Sequence, residues 1–222
     1  MNRPRICAVI VTKDSELIAA IEPLVELFEV RIDLIGDGWQ KLAKQLEKPW
    51  IACNRSAAEG GSWRGNETRR IEELVEATEL GANIVDIELE TKNLAEVIPV
   101  IKKRAKCLLS FHQLKKTPPL EEMKGIVSRQ LEAGADICKI VTTAQRFEDN
   151  LSVLQLITGH PETKIVAFAM GPLGLASRIL CPLVGGDFTY ASMGKGKESA
   201  PSQITVRKLR AIYEMMATGK TG

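Results

Sequence analysis

The sequence predicts a single-domain (β/α)8 TIM barrel spanning residues 1–222, and three observations lead there. Eight short β-type runs alternate with helix-period segments from end to end. No linker or low-complexity tract divides the chain, and 222 residues suit one such barrel, although two small domains would also fit that length. A chain that is 45% hydrophobic and 26% charged can bury a large core.

Taken in order, strands are expected at Arg5 to Val11, Glu29 to Ile35, Trp50 to Asn54 and Asn83 to Leu89, then at Ala105 to Phe111, Asp136 to Val141, Lys164 to Met170 and Gly186 to Ala191. The first follows Arg3 and Arg5 and could be mistaken for an export signal, but Lys13 and Asp14 stop its apolar run too early. Between strands, "ETRRIEELVEATELG" carries an apolar stripe of Ile71, Leu74, Val75 and Thr78 and stops at Gly81. "PLEEMKGIVSRQLEAG" stops in the same way at Gly134. The last helix is expected to follow the loop that ends at Gln203.

Composition narrows the partners. A net charge of +2 lacks the broad cationic field of a nucleic-acid binder, and no run approaches the eighteen or so apolar residues of a membrane span. A small molecule is the expected partner. Cys7, Cys53, Cys107, Cys138 and Cys181 are widely spaced, with no Cys-x-x-Cys pair and no histidine spacing suited to zinc. They are expected to be small buried hydrophobes in a reducing cytoplasm. No metal or organic cofactor is expected, because the chain also lacks a nucleotide fingerprint.

A barrel places its chemistry at the C-terminal ends of the strands. Alternation in "EVRIDLI" puts Glu29, Arg31 and Asp33 on one face; an edge strand with one side in water would read the same, but inside a barrel that face points at the lumen. Arg55 stands at the end of the third strand, with Glu59 four residues on and Gly60-Gly61 permitting a tight turn, though a plain flexible loop would look similar. Asp86 and Glu88 share a face of the fourth strand with the same ambiguity.

His112 follows "CLLSF" at a strand end, where it suits a proton shuttle as well as an ordinary hydrogen-bonded role; His160, in a polar turn, is expected in solvent. Lys139 sits among Ile137, Cys138, Ile140 and Val141. A strand lysine commonly reaches back to water, but here burial and the guanidinium groups of Arg31, Arg55 or Arg178 are expected to lower its pKa and free an amine that attacks a ketone. Arg178 suits a substrate carboxylate, or is a solvated helix charge. "MGKGKESAPSQ" is a mobile connection or a lid.

These stretches together resemble the type I 3-dehydroquinate dehydratases, Schiff-base enzymes of the shikimate pathway. "EVRIDL" is similar to the family's Glu-x-Arg-x-Asp strand, "RSAAEGG" to its Arg-x-x-x-Glu-Gly-Gly loop, and "SFHQLKKTP" and "ADICKI" to its histidine and lysine strands. "MGPLGLASR" and "SAPSQ" resemble its arginine segment and its lid, so six motifs occur in the family's order over nearly the full length. Cys53-Asn54 and Gly171-Pro172 depart from its pattern, the stretch from Tyr190 to Ser199 is slightly extended, and no first-strand counterpart for a substrate contact is assigned.

The resemblance implies that Lys139 forms an imine with the substrate ketone, His112 is the general acid and base, and Glu59 tunes His112. It further implies that Arg178 binds the ring carboxylate, that Glu29, Arg31, Arg55, Ser199 and Gln203 hold hydroxyls and order the pocket, and that Phe168 and Met170 form an apolar wall. A cytoplasmic homodimer is implied as well. Two other readings stay open: another Schiff-base barrel such as a small class I aldolase, and a noncatalytic barrel that binds a small acid.

Overall fold

A computed structural model describes residues 3–200 and 202–218. Its eight strands are β1 (Ile6–Ile10), β2 (Leu27–Arg31), β3 (Trp50–Cys53), β4 (Ile84–Glu88), β5 (Lys106–His112), β6 (Ile137–Thr143), β7 (Ile165–Met170) and β8 (Thr189–Ser192). All pair in parallel, in the order β7-β6-β5-β4-β3-β2-β1-β8, and each is followed by helix. This is the (β/α)8 barrel expected from the alternation.

Period-two alternation sorts the core into two shells. Ala8, Phe28, Ala52, Val85, Leu109, Ile140 and Ala167 face outward into the main cluster under the helices. Leu27, Ile51, Ile84, Leu108, Ile137, Val166 and Phe188 face inward and fill the barrel's lower lumen with apolar side chains. Above them the inward positions turn polar: Glu29 and Arg31 on β2, Asp86 and Glu88 on β4, Ser110 and His112 on β5, and Lys139 on β6. The core ends where the chemistry begins.

The ladder does not close between β7 and β8. Asp187 N–H donates to Ile165 O at 2.8 Å at the bottom of that seam. Higher up, the helix Leu175–Leu180 takes over the missing pairing: Ser177 Oγ accepts from Ala169 N–H at 2.9 Å, and Thr189 Oγ1 donates to Arg178 O at 2.7 Å. The helix is thereby drawn into the barrel mouth, and Arg178 with it, 3% exposed.

Three expectations need correction. The second strand is Leu27–Arg31 and not Glu29 to Ile35, because Ile32–Ile35 coils into a helical turn that folds Asp33 back beneath Arg31. In the helix Glu67–Glu79 the buried face is Arg70, Leu74, Ala77 and Thr78, while Ile71 and Val75 are only half-buried. The helix rotates toward Arg70 because that guanidinium reaches under the barrel mouth to Glu88 at 2.5 Å. His160 is half-buried, with Nδ1 2.8 Å from Leu156 O, rather than open to solvent. The five cysteines are buried and free, as expected of small hydrophobes. No helix among the described residues is long and apolar enough to cross a membrane.

Candidate active site

At the C-terminal mouth of the barrel lies a cavity of about 340 Å³, lined by every residue to which the family resemblance gave a role: Glu29, Arg31, Arg55, Glu59, His112, Lys139, Phe168, Met170, Arg178, Ser199 and Gln203; Asp33, Asp86 and Glu88 are not part of its lining. β1 contributes Val9 to the lining. Side chains scattered over 175 positions of chain converge because they either project inward from the strands, as Glu29, Lys139 and Phe168 do, or stand in the loops and helix that follow strands at the same end of the barrel.

Lys139 stands on the cavity floor, 5% exposed. Its Nζ donates to Asp86 Oδ2 at 2.7 Å and lies 3.4 Å from Glu29 Oε1. Burial is the strongest single influence and pulls its pKa down, but Asp86 and Glu29 together outweigh it, so the resting side chain is an ammonium with a pKa above the ordinary lysine value. This overturns the expected free amine. Arg55 does oppose the charge, yet the two carboxylates are nearer, and Arg31 is neutralised by Asp33 through bonds of 2.8 and 2.7 Å.

Asp86 is the hub that the sequence reading left ambiguous. It also accepts from Arg55 Nη2 at 2.6 Å and from Ser110 Oγ at 2.7 Å. Burial opposes its charge, but Arg55 and Lys139 hold its carboxyl well below the usual carboxylate range. Arg55 spans this hub and Glu88, 3.2 Å away, with Glu59 at 3.8 Å. Glu29, Cys53 and Asp86 bring ligand atoms within 4.8 Å of one another. The cations of Lys139 and Arg55 already occupy the carboxylates there and oppose a metal ion.

His112 Nδ1 lies 2.7 Å from Glu59 Oε2. Burial, reinforced by Arg55 and Lys139, holds the imidazole well below its ordinary value and hence neutral. Burial also raises Glu59 to about 8, with Glu88 and Asp86 adding to the rise and Arg55 opposing it. Below about pH 8 the Glu59 carboxyl therefore keeps its proton against Nδ1 and the ring hydrogen sits on the other nitrogen as a donor; once the carboxyl ionises, Nδ1 carries the hydrogen and the other nitrogen can accept a proton from a bound molecule.

Glu59 owes its position to a tight loop. Gly60 takes φ +82°, and a Cβ on Gly61 would lie 2.1 Å from Arg55 O. Gly61→Ala is expected to destabilise the fold by about 2 kcal/mol or more and to reduce activity with it, since the loop must lift Glu59 off His112 to relieve the overlap. Thermal melting alongside an activity assay checks this.

Arg178 is a buried cation without a carboxylate partner among the described residues. Its guanidinium stacks over the Phe168 ring at 4.0 Å and makes only a long contact, 3.4 Å, with Tyr190 O. Among the described residues it has no carboxylate within salt-bridge distance, and burial lowers its pKa to about 10, so it stays charged near neutrality. Opposite it, Gln203 Oε1 accepts from Ser199 N–H at 3.0 Å and Ser199 Oγ at 3.2 Å, fastening the last loop across the mouth. Pro201 of that loop lies outside the described residues.

Sequence reasoning passed over Ser110, Arg70 and Tyr190. An inward polar residue one pleat below His112 was a usable signal for Ser110. Arg70 offered none, being one of two adjacent arginines on an amphipathic helix.

The arrangement suits a small acid with a ketone: a guanidinium for the carboxylate, an amine for the carbonyl, and a proton carrier beside it. Comparisons with known proteins agree. The sequence model of the family described as Type I 3-dehydroquinase matches residues 6–220. The chain is 43% identical over 213 residues to a 3-dehydroquinate dehydratase of Dehalococcoides mccartyi, covering 96% of each, and 36% identical over 219 residues to one from Methanococcus maripaludis, covering 95% of this chain and 99% of that one. The solved structure of 3-dehydroquinate dehydratase from Enterococcus faecalis superposes with a TM-score of 0.80 at 27% identity, covering 97% of this chain and 95% of the other.

Proposed function

Since the chain belongs to the type I 3-dehydroquinase family, we propose that it dehydrates 3-dehydroquinate to 3-dehydroshikimate through an imine on Lys139. The hydro-lyase activity follows from the family; the covalent route and the residue roles are our reading. One observation carries it: a buried lysine, a neutral histidine with a carboxyl partner, and an unpaired arginine all line one 340 Å³ cavity.

Substrate binding begins with the ring carboxylate neutralising Arg178. Lys139 must then surrender a proton, and neutral His112 is the acceptor in the same cavity, its outer ring nitrogen open once Glu59 is ionised and Nδ1 carries the ring hydrogen. The freed amine attacks the C3 ketone. The carbinolamine loses water as His112 returns the proton to its oxygen, leaving an iminium. That cation withdraws electrons from C2, so His112 removes a C2 proton and the enamine forms. Expulsion of the C1 hydroxyl, protonated by His112, completes the elimination, and one water hydrolyses the imine to release product and restore Lys139. Asp86, fixed by Arg55 and Ser110, stays ionised throughout and holds the nitrogen in place.

Arg178 argues against a class I aldolase, whose sugar-phosphate substrates carry no ring carboxylate, and the amine beside a proton carrier argues against a mere binding module. Arg178→Gln is expected to raise KM by about 100-fold, since it removes charge-assisted hydrogen bonds to the carboxylate. The same variant should melt no lower than the parent, because the guanidinium it removes is buried without a carboxylate partner. Steady-state kinetics and a melting curve check the two halves. Cytoplasmic location and a homodimeric assembly belong to the same proposal and rest on the family; sedimentation tests the second.

The reaction itself is tested by absorbance. 3-Dehydroquinate added to the enzyme should generate the conjugated enone of 3-dehydroshikimate, and no rise in that absorbance would reject the assignment.

A further inference from the structure

We infer that the face of the Tyr190 ring is a working part of the imine site: it stabilises the positive charge on Lys139 Nζ, first as ammonium and then as iminium, which makes Tyr190 a positioning residue for the covalent step. The inference rests on the role proposed above for Lys139.

Nζ lies 4.2 Å from the Tyr190 ring centroid, and the ring is 3% exposed. Two edge-to-face partners prevent it from turning away, Phe168 at 6.0 Å and 63° and Phe188 at 5.4 Å and 68°. The hydroxyl contributes nothing to that anchoring, for Oη is buried without a hydrogen-bond partner among the described residues. What touches the lysine is the π face.

Carboxylates alone do not suffice for the reaction. An ammonium has three N–H donors, enough for both Asp86 and Glu29, but an iminium keeps only one. Converting Nζ to the iminium therefore costs it one of its carboxylate hydrogen bonds while it keeps its charge. A ring face needs no donor, and its attraction for a cation is worth most in a site shielded from water. Its stabilisation survives the change from ammonium to iminium. Phe168 serves Arg178 in the same way, so the two cations sit on the faces of one edge-to-face aromatic pair, which sets the spacing between amine and carboxylate clamp.

Other groups act on the lysine charge from every neighbouring strand: Cys7 on β1, Glu29 on β2, Cys53 at the end of β3 with Arg55 just beyond it, Asp86 on β4 and His112 on β5. None is altered by a change confined to the ring at 190. The test compares Tyr190→Phe with replacement of Tyr190 by pentafluorophenylalanine, which closely matches benzene in shape but reverses the polarity of its face. Two quantities are measured. The first, without substrate, is the rate at which cyanate carbamoylates Lys139 at fixed pH, by peptide mass against surface lysines. The second is the fraction of enzyme trapped by borohydride at saturating 3-dehydroquinate.

The fluorinated ring should lower the lysine pKa by about one unit, speeding carbamoylation about fivefold and cutting the trapped fraction severalfold. Tyr190→Phe should label at the parent rate. Tyr190→Leu, a second route to the same loss, should move both quantities in the direction of the fluorinated ring. Equal carbamoylation in the fluorinated and Phe enzymes, or a Phe enzyme that labels as fast as the fluorinated one, would overturn the role of the ring. Failure of the parent enzyme to trap substrate would strike instead at the imine mechanism, while the cyanate rates would still decide whether the ring holds the ammonium.

Discussion

Lys139→Ala is expected to lower kcat by about 10⁵-fold, because removing the nucleophile of a covalent mechanism removes the intermediate itself. Arg178, Ser199 and Gln203 are untouched by the change, so the variant should still bind the substrate's carboxylate, and its affinity measured by calorimetry should fall far less than its turnover. The variant should also be less stable. Glu29 loses its partner, and Asp86, although still held by Arg55 and Ser110, gives up its shortest contact to a lysine. A cost of about 1–3 kcal/mol is expected for those carboxylates. Lys139→Met, which restores the apolar stem, should recover part of the stability and none of the turnover.

His112→Ala is the second large loss, about 10³- to 10⁴-fold in kcat, since one imidazole serves carbinolamine dehydration, C2 deprotonation and departure of the C1 hydroxyl. Its pH dependence has a definite sign. Below about 8 the pair retains its proton, largely on the Glu59 carboxyl that burial has raised to that value. As pH climbs through about 8 the pair loses that proton, His112 acquires an anionic neighbour at 2.7 Å, and it becomes the stronger base. kcat/KM should therefore rise with an acidic limb near 8. Glu59→Gln should flatten the limb and reduce kcat by less than the histidine variant does.

The barrel could be read from the chain because each strand carries its own alternation and each helix its own stop, and such signals are local. Asn66 accepting from Thr68 N–H and Arg69 N–H, at the start of the helix that Gly81 follows, is of that kind. The strand around Glu29 was misplaced because Glu29, Arg31 and Asp33 also alternate along a strand that has already ended; a helical turn after Arg31 brings Asp33 to the same guanidinium. For the site, position at a strand end was enough to gather the residues, but not to give their ionisation. The neighbours of Lys139 in sequence are Cys138 and Ile140, whereas its charge is decided by Asp86 and Glu29, 53 and 110 positions away. Burial alone argued for a free amine, and the partners that reverse that conclusion come only with the folded barrel. Tyr190 illustrates the same limit, since nothing in "GDFTYAS" points to a cation from β6 resting on its ring.

The central claim is a covalent bond between Lys139 Nζ and substrate. Borohydride added to the enzyme turning over 3-dehydroquinate, followed by peptide mass mapping, should place a single reduced adduct on the peptide carrying Lys139. An unmodified protein, or an adduct on any other lysine, would contradict it.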